Sequence, residues 1–228
     1  MDVRDPFDRS FRDRTLAGET LFGLFLVFLL LQSITGWRTN NQDNQEHHQP
    51  AESYARYLRS GPFVEATFEN WESEFLQMSG YVLLTVFLRQ KGSPESKALD
   101  GPDPVDEDPN EARGREGAPG PVRRGGLALS VYQYSLALSF TALFVMSFVL
   151  HAIGGHAAYN QEQLQHGEAP VSLLGFVTGA QFWFQSMQNW QSEFLAVFAL
   201  VVLGIFLRQR GSPESKPVAA AHAETGSA

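Results

Sequence analysis

Asn70-Trp71-Glu72-Ser73-Glu74-Phe75-Leu76 returns later in the chain as Asn189-Trp190-Gln191-Ser192-Glu193-Phe194-Leu195. Phe87-Leu88-Arg89-Gln90-Lys91-Gly92-Ser93-Pro94-Glu95-Ser96-Lys97 returns as Phe206-Leu207-Arg208-Gln209-Arg210-Gly211-Ser212-Pro213-Glu214-Ser215-Lys216. Every pair lies 119 residues apart, so the copies align without a gap. Working outward at that offset, Leu24-Phe25 meets Leu143-Phe144, Ile34 meets Ile153, and Gly36 meets Gly155. Asn41-Gln42 meets Asn160-Gln161, His47 meets His166, and Phe63 meets Phe182. Each copy reads as a long apolar segment, a polar loop, and a second apolar segment that starts at the Asn-Trp motif.

The 228 residues are 43% hydrophobic with a mean hydropathy of −0.18, averages that would suit a soluble protein. They conceal a segregation into blocks. Thr20 to Trp37 carries no charge, and Leu127 to Gly155 carries none when His151 is neutral. A bilayer core of about 30 Å needs roughly 20 helical residues, which both blocks supply. Phe75 to Leu88 and Phe194 to Leu207 are shorter and reach that length only from Asn70 and Asn189. Glu74 and Glu193 then fall in the first turns, near a headgroup region where a carboxylate still reaches water.

The expected fold class is an all-α integral membrane protein with four transmembrane helices, built as two parallel-repeat helical hairpins. The first hairpin repeat occupies 1–97, with helices at about 16–36 and 70–89. The second occupies 127–216, with helices at about 130–154 and 189–208. Between them, 98–126 is rich in Pro, Gly, Asp and Glu and is expected to be a disordered cytoplasmic linker, and 217–228 an equally disordered tail. Arg9, Arg12 and Arg14 before Leu21 to Leu31 resemble a signal peptide. No small-x-small site follows closely, and the same helix recurs as Leu136 to Ile153, so a retained span is expected.

Basic residues orient the chain. Gly155 to Gln188 contains no Lys or Arg, whereas the corresponding first loop has Arg38, Arg56 and Arg59. The other basic residues precede the first span, lie between the second and third, or follow the fourth. The positive-inside rule then makes both termini cytoplasmic in an inner (plasma) membrane, and puts Trp37, Trp71, Trp183 and Trp190 at the outer interface as anchors. An even number of spans per copy makes the copies parallel, related by an axis along the membrane normal. Val171 to Met187 is apolar and aromatic and is expected either to lie flat in the interface or to dip into it, while Glu52 to Phe68 stays in water.

The net charge of −8 resides largely in linker and tails and reads as solvation. The chain has no cysteine, so disulfides and thiolate chemistry are excluded. No phosphate-binding glycine loop, Gly-x-Ser-x-Gly elbow or His-Glu-x-x-His is present, so no enzyme and no cofactor are expected. Basic residues are interspersed with acid, which argues against nucleic acid. His47, His48, His151, His156 and His166 lack metal-site spacing, so no metal is expected. His151, late in a membrane segment, is expected to hydrogen-bond a neighbouring helix or to snorkel outward.

Asn70 and Glu74 share a helical face, as do Asn189 and Glu193, and these four are the candidate ion or partner site. Two outer carboxylates at matching depth could bind a cation or relay protons. The plain structural account is that each Asn caps a helix, the acid suits its positive end and Trp anchors it. Continuing that face gives polar Gln77, Tyr81 and Thr85 in one copy but Ala196, Leu200 and Gly204 in the other, unlike a symmetric aqueous path. Arg89, Lys91, Arg208 and Arg210 mark cytoplasmic helix ends, with Gly92 and Gly211 as left-handed caps and a proline beyond. The repeated Gly-Ser-Pro-Glu-Ser-Lys also suits docking of a partner.

Phe68 to Met78 and Phe87 to Lys97, with their copies, resemble a family of small bacterial membrane proteins known as a domain of unknown function. The likeness covers roughly Leu16–Lys97 and Leu136–Lys216. It implies a bacterial inner-membrane helical protein and no activity. The second copy departs from the motif, with Met187-Gln188 for Phe68-Glu69 and Gln191 for Glu72. The leading expectation is a non-enzymatic envelope protein acting in the lipid bilayer through homo-oligomers or another membrane protein. The alternative is a small ion or proton channel or transporter using the two glutamates.

Overall fold

The computed structural model describes residues 16–101 and 103–226, and every regular element among them is helical. Four helices are long: α1 Leu16–Glu46, α3 Gly61–Phe87, α6 Ser135–Gln165 and α8 Ala180–Phe206. Short helices join them: α2 Tyr54–Tyr57, α4 Gly120–Arg124, α5 Gly126–Gln133 and α7 Leu173–Val177. α1 and α6 begin and end 119 residues apart, and so do α3 and α8. Leu and Phe dominate α1, and a helix pairs all its own backbone groups, which a span in lipid requires.

Among the described residues, three helices are long and apolar enough to cross a membrane: Gly18–Glu46, Ser135–Gln165 and Ala180–Phe206. On α1 the side chains of Leu21, Phe22 and Phe28 are more than 60% exposed, as suits contact with acyl chains. α3 matches α8 in length, but Glu65, Glu69, Glu72 and Glu74 dilute its apolar character.

The helices differ from their expected bounds: α6 starts at Ser135 and not at 130, and α3 and α8 stop at Phe87 and Phe206, two residues short of 89 and 208. α1 and α6 continue through polar sequence to Glu46 and Gln165, and at 31 residues each is about 46 Å long. α3 and α8 begin nine residues ahead of Asn70 and Asn189. Pro62 at the second position of α3 explains that start, since its missing N–H falls among groups that lack a helical partner anyway. Asn70 and Asn189 are therefore interior residues, which corrects the capping account. The apolar stretch from Val171, expected to lie flat or dip into the interface, is divided between α7 and α8, with the Ser172 hydroxyl accepting from Gly175 N at 3.1 Å to start α7.

The segment expected to be a disordered linker carries local order. A 3-10 turn at Pro104–Asp106 is capped by Asp103, Lys97 Nζ reaches Asp106 at 2.5 Å, and Arg115 pairs with Glu107.

The contacts divide the chain into two units. Among the described residues, the first holds the chain up to Thr67 together with Leu150–Gly179. In it, Asn41 clamps the backbone of Glu52, accepting from its N at 2.5 Å and donating to its O at 2.9 Å. Asn160 does the same to Val171 at 2.8 and 3.0 Å. Trp37 Nε1 joins the first clamp at 2.7 Å and His156 Nε2 the second at 2.8 Å, so positions 119 apart do equivalent work. Gly154 lies where a Cβ would come within 2.6 Å of Glu65 N, which shows how closely α3 and α6 approach here. His151 is wholly buried, so it does not snorkel.

The second unit holds Phe68–Val149 with the chain from Ala180 onward. Its core is aromatic: Phe182 is fully buried, edge-on to Phe148 at 5.2 Å and to Trp183 at 5.6 Å.

Candidate functional site

Within the second unit a polar seam runs between α3 and α8. On α3, Glu69, Glu72, Ser73 and Gln77 recur at helical spacing and so share one face. On α8, Phe182, Ser186, Asn189, Trp190 and Glu193 do likewise. Glu72 is wholly buried, and its Oε1 accepts from Ser186 Oγ at 2.8 Å and from Trp190 Nε1 at 3.1 Å. Asn189 Nδ2 donates to Glu69 Oε1 at 2.5 Å and to Gln185 O at 3.2 Å. Gln77 Nε2 donates to Glu193 O at 2.9 Å. The hydroxyls of Ser79 and Thr141 meet at 2.8 Å and tie α3 to α6. Phe144 at 6.1 Å and Trp183 at 6.4 Å pack edge-on to the Trp190 ring.

α3, α6 and α8 contain no lysine or arginine, so neutral hydroxyl, indole and amide donors serve the acids of the seam. Burying a polar group without partners costs about 1–3 kcal/mol in proteins, and these bonds offset that cost for Glu72.

The family described as a domain of unknown function, DUF6766, matches residues 7–227. The chain belongs to this family. No curated protein and no solved structure matches it.

In this DUF6766 chain the Glu74 carboxylate lies near enough to Glu193 to act on it electrostatically, and Asn189 and Glu193 both touch α3. Asn70 is exposed, and its backbone O accepts from Ser73 Oγ at 2.7 Å. Glu74 is exposed and Glu193 half-buried. Asn189 enters the seam through its side chain, Glu193 through its backbone carbonyl. The acids that the seam absorbs are Glu69 and Glu72, the two positions where the second copy has Gln188 and Gln191. That departure was the available signal. Sequence reasoning missed Ser186 and Gln77 as seam members because nothing in the residue pattern says which face of α3 meets α8.

The tryptophans divide. Trp37 is tied to the Glu52 backbone, Trp71 packs edge-on to Phe68 at 5.0 Å, and Trp183 is exposed. Trp190, expected as an anchor, is a half-buried donor of the seam.

In the Gly-Ser-Pro-Glu-Ser-Lys loops the glycines are left-handed but do not cap the helices: α3 and α8 end five residues earlier, at Phe87 and Phe206, and the glycines shape turns closed by Ser93 N to Gln90 O and Ser212 N to Gln209 O. Gly92 and Gly211 have φ of 83° and 86°. Arg208 Nη1 donates to the Leu207, Ile205 and Gly204 carbonyls at 2.8, 3.1 and 3.4 Å, while Arg89 Nη1 reaches Leu99 O at 2.9 Å. Lys91 and Arg210 are exposed.

The serines have work that capping did not explain. Ser96 and Ser215 accept from Gln90 N and Gln209 N at 2.9 and 2.8 Å, and Ser93 and Ser212 accept from Glu95 N and Glu214 N. Lys216 is buried with Nζ donating to the carbonyls of Ala221, His222 and Glu224. The tail closes over the first loop: Gly92 N donates to Thr225 Oγ1 at 2.9 Å and Gly226 N to Ser93 O at 3.0 Å. Glu95 has its carboxyl raised above the ordinary range, by burial first and then by the Glu214 carboxylate beside it.

Proposed function

We propose that this chain is a non-enzymatic integral membrane protein of two parallel hairpins with four transmembrane helices, acting by assembly with copies of itself or another membrane protein. The reading extends to a bacterial inner membrane with both termini cytoplasmic. The observation that carries it is the α3–α8 seam, whose buried acid is taken up by Ser186 and Trp190 of the same chain. Such bonds join helices; they do not line an open path. The matched bounds of α1 with α6 and of α3 with α8 favour the duplicated hairpin, and so do the equivalent clamps of Asn41 and Asn160. α3 has the length of α8, and about 40 Å of helix suffices for a fourth span.

One observation favours a second reading, a small proton or ion carrier: a carboxyl group buried in a membrane helix is a functional candidate by default. The test is flux of protons and monovalent cations through liposomes holding the purified protein. Wild type is compared with Glu72→Gln and with the Glu74→Gln/Glu193→Gln double variant. The assembly reading expects no flux above empty liposomes and an unchanged oligomeric state in detergent. Flux that either variant abolishes, with protein level maintained, would replace it with the carrier reading.

A further inference from the structure

The first unit contains a cleft of about 520 Å³ lined by Glu52, Arg56, Arg59, Ser60 and Gly61 with Gln161 of α6. That volume lies within the range of about 300–1,000 Å³ typical of small-ligand sites. Its charge balance is positive. Glu52 is held by Arg56 Nε at 3.2 Å and by Asn40 Nδ2 at 3.2 Å, whereas Arg59 makes no ion pair among the described residues. Ser60 Oγ is buried and has no hydrogen-bond partner among them. Val64 N donates to Ser60 O at 3.2 Å, so α3 starts at this wall, with the Gly61 and Phe63 amides in its unpaired first turn. Gly61 fixes that start against α6: a Cβ there would lie 2.6 Å from Ala158 N.

The charge is not a requirement of the framework. At the positions 119 residues on, Val171, Gly175, Thr178 and Gly179 stand for Glu52, Arg56, Arg59 and Ser60. The same connection therefore builds without a single cationic side chain. The cleft also has a defined level along α1. The apolar run of α1 ends at Trp37, whose Nε1 donates to the carbonyl of Glu52 in the cleft wall. Tryptophan prefers the depth of the lipid headgroups, where phosphodiesters lie. A guanidinium fork matches two phosphate oxygens, and a hydroxyl with helix-start amides complements the remainder.

We propose that this cleft binds the phosphate of an anionic phospholipid headgroup, held by Arg59 and Arg56 with Ser60 Oγ as a further donor. The proposal rests on the membrane reading above. Its test is native mass spectrometry of the full-length protein in detergent, titrated separately with phosphatidylglycerol, phosphatidylcholine and inorganic phosphate. We expect saturable binding of one phosphatidylglycerol, weaker binding of phosphatidylcholine, and affinity that falls with salt. Arg56→Ala/Arg59→Ala should weaken phosphatidylglycerol at least tenfold with helicity by circular dichroism unchanged, and Arg59→Lys should retain part of it. Loss of helicity in the double variant would leave the comparison to Arg59→Gln, an exposed single site. Binding that neither set of substitutions alters would overturn the proposal, as would no saturable binding. Inorganic phosphate binding as tightly and displacing the lipid would assign the cleft to a free anion instead. Retention of the protein in carbonate-washed membranes is measured alongside. Retention without lipid binding sinks the site alone, and loss of retention sinks the membrane reading with it.

Discussion

Replacing Glu72 separates its role as a hydrogen-bond acceptor from its role as a charge. In Glu72→Gln an oxygen remains where Oε1 now accepts from Ser186 Oγ at 2.8 Å and Trp190 Nε1 at 3.1 Å. In Glu72→Ala both donors lose that acceptor. Ser186 can turn its hydroxyl to a carbonyl one turn back, but the Trp190 N–H has no such local substitute. Hydrogen bonds between membrane helices average about 0.6 kcal/mol and reach about 1.7 kcal/mol, so two of them are worth about 1–3 kcal/mol. The emptied volume at a fully buried site adds on the order of 1–2 kcal/mol, at the low end for large-to-small changes because few methylenes are removed. We expect Glu72→Ala to cost about 3 kcal/mol and Glu72→Gln less than about 1 kcal/mol. The assay is unfolding of purified protein in mixed micelles by titration with dodecyl sulfate, followed by circular dichroism and by tryptophan fluorescence. Equal costs for the two variants would refute the acceptor argument and point to a required charge. No cost for either would mean that the seam does not hold α3 to α8.

Two more predictions concern the packing of the first unit and the loop pair of the second. Gly154→Ala puts a methyl 2.6 Å from Glu65 N and 2.7 Å from Val64 Cγ1, so backbone must move, and overpacking of this kind costs about 1–3 kcal/mol. Gly23→Ala, which meets nothing within 4 Å, should be neutral or stabilise by up to about 1 kcal/mol in the same titration. For Glu95 the folded chain holds the proton more tightly than an ordinary carboxyl of 4.5 does, because burial and Glu214 both oppose ionisation. Its contribution is present in full below that value and is lost as pH rises through the raised one. Amide exchange in Gly92–Lys97, corrected for intrinsic rate, should be slower at low pH than at neutral pH. Glu95→Gln should flatten that dependence; an unchanged slope in this variant would place the titrating group elsewhere.

The offset of 119 residues made the four long helices legible in pairs, because any element found in one copy is expected in the other. Their bounds were harder. Asn70 and Asn189 are good capping residues by type, yet Gly61-Pro62 is the stronger start signal, and tertiary contact of Gly61 with α6 fixes it there. The polar extensions of α1 and α6 could not be read from hydropathy, since Asn41 and Asn160 stabilise them through backbone atoms eleven residues further on. The repeat also drew attention to what the copies share, whereas the seam depends on what they do not. Glu72 faces Ser186 and Trp190 of the other copy, whereas its counterpart Gln191 is exposed and donates through Nε2 to Gln188 O of its own helix. α3 supplies the acceptor and α8 the donors. Divergence between the two helices is, on this argument, a condition for packing them against each other: α3 turns acids inward where α8 presents hydroxyl, indole and amide donors, so they meet through different faces and not through matching ones.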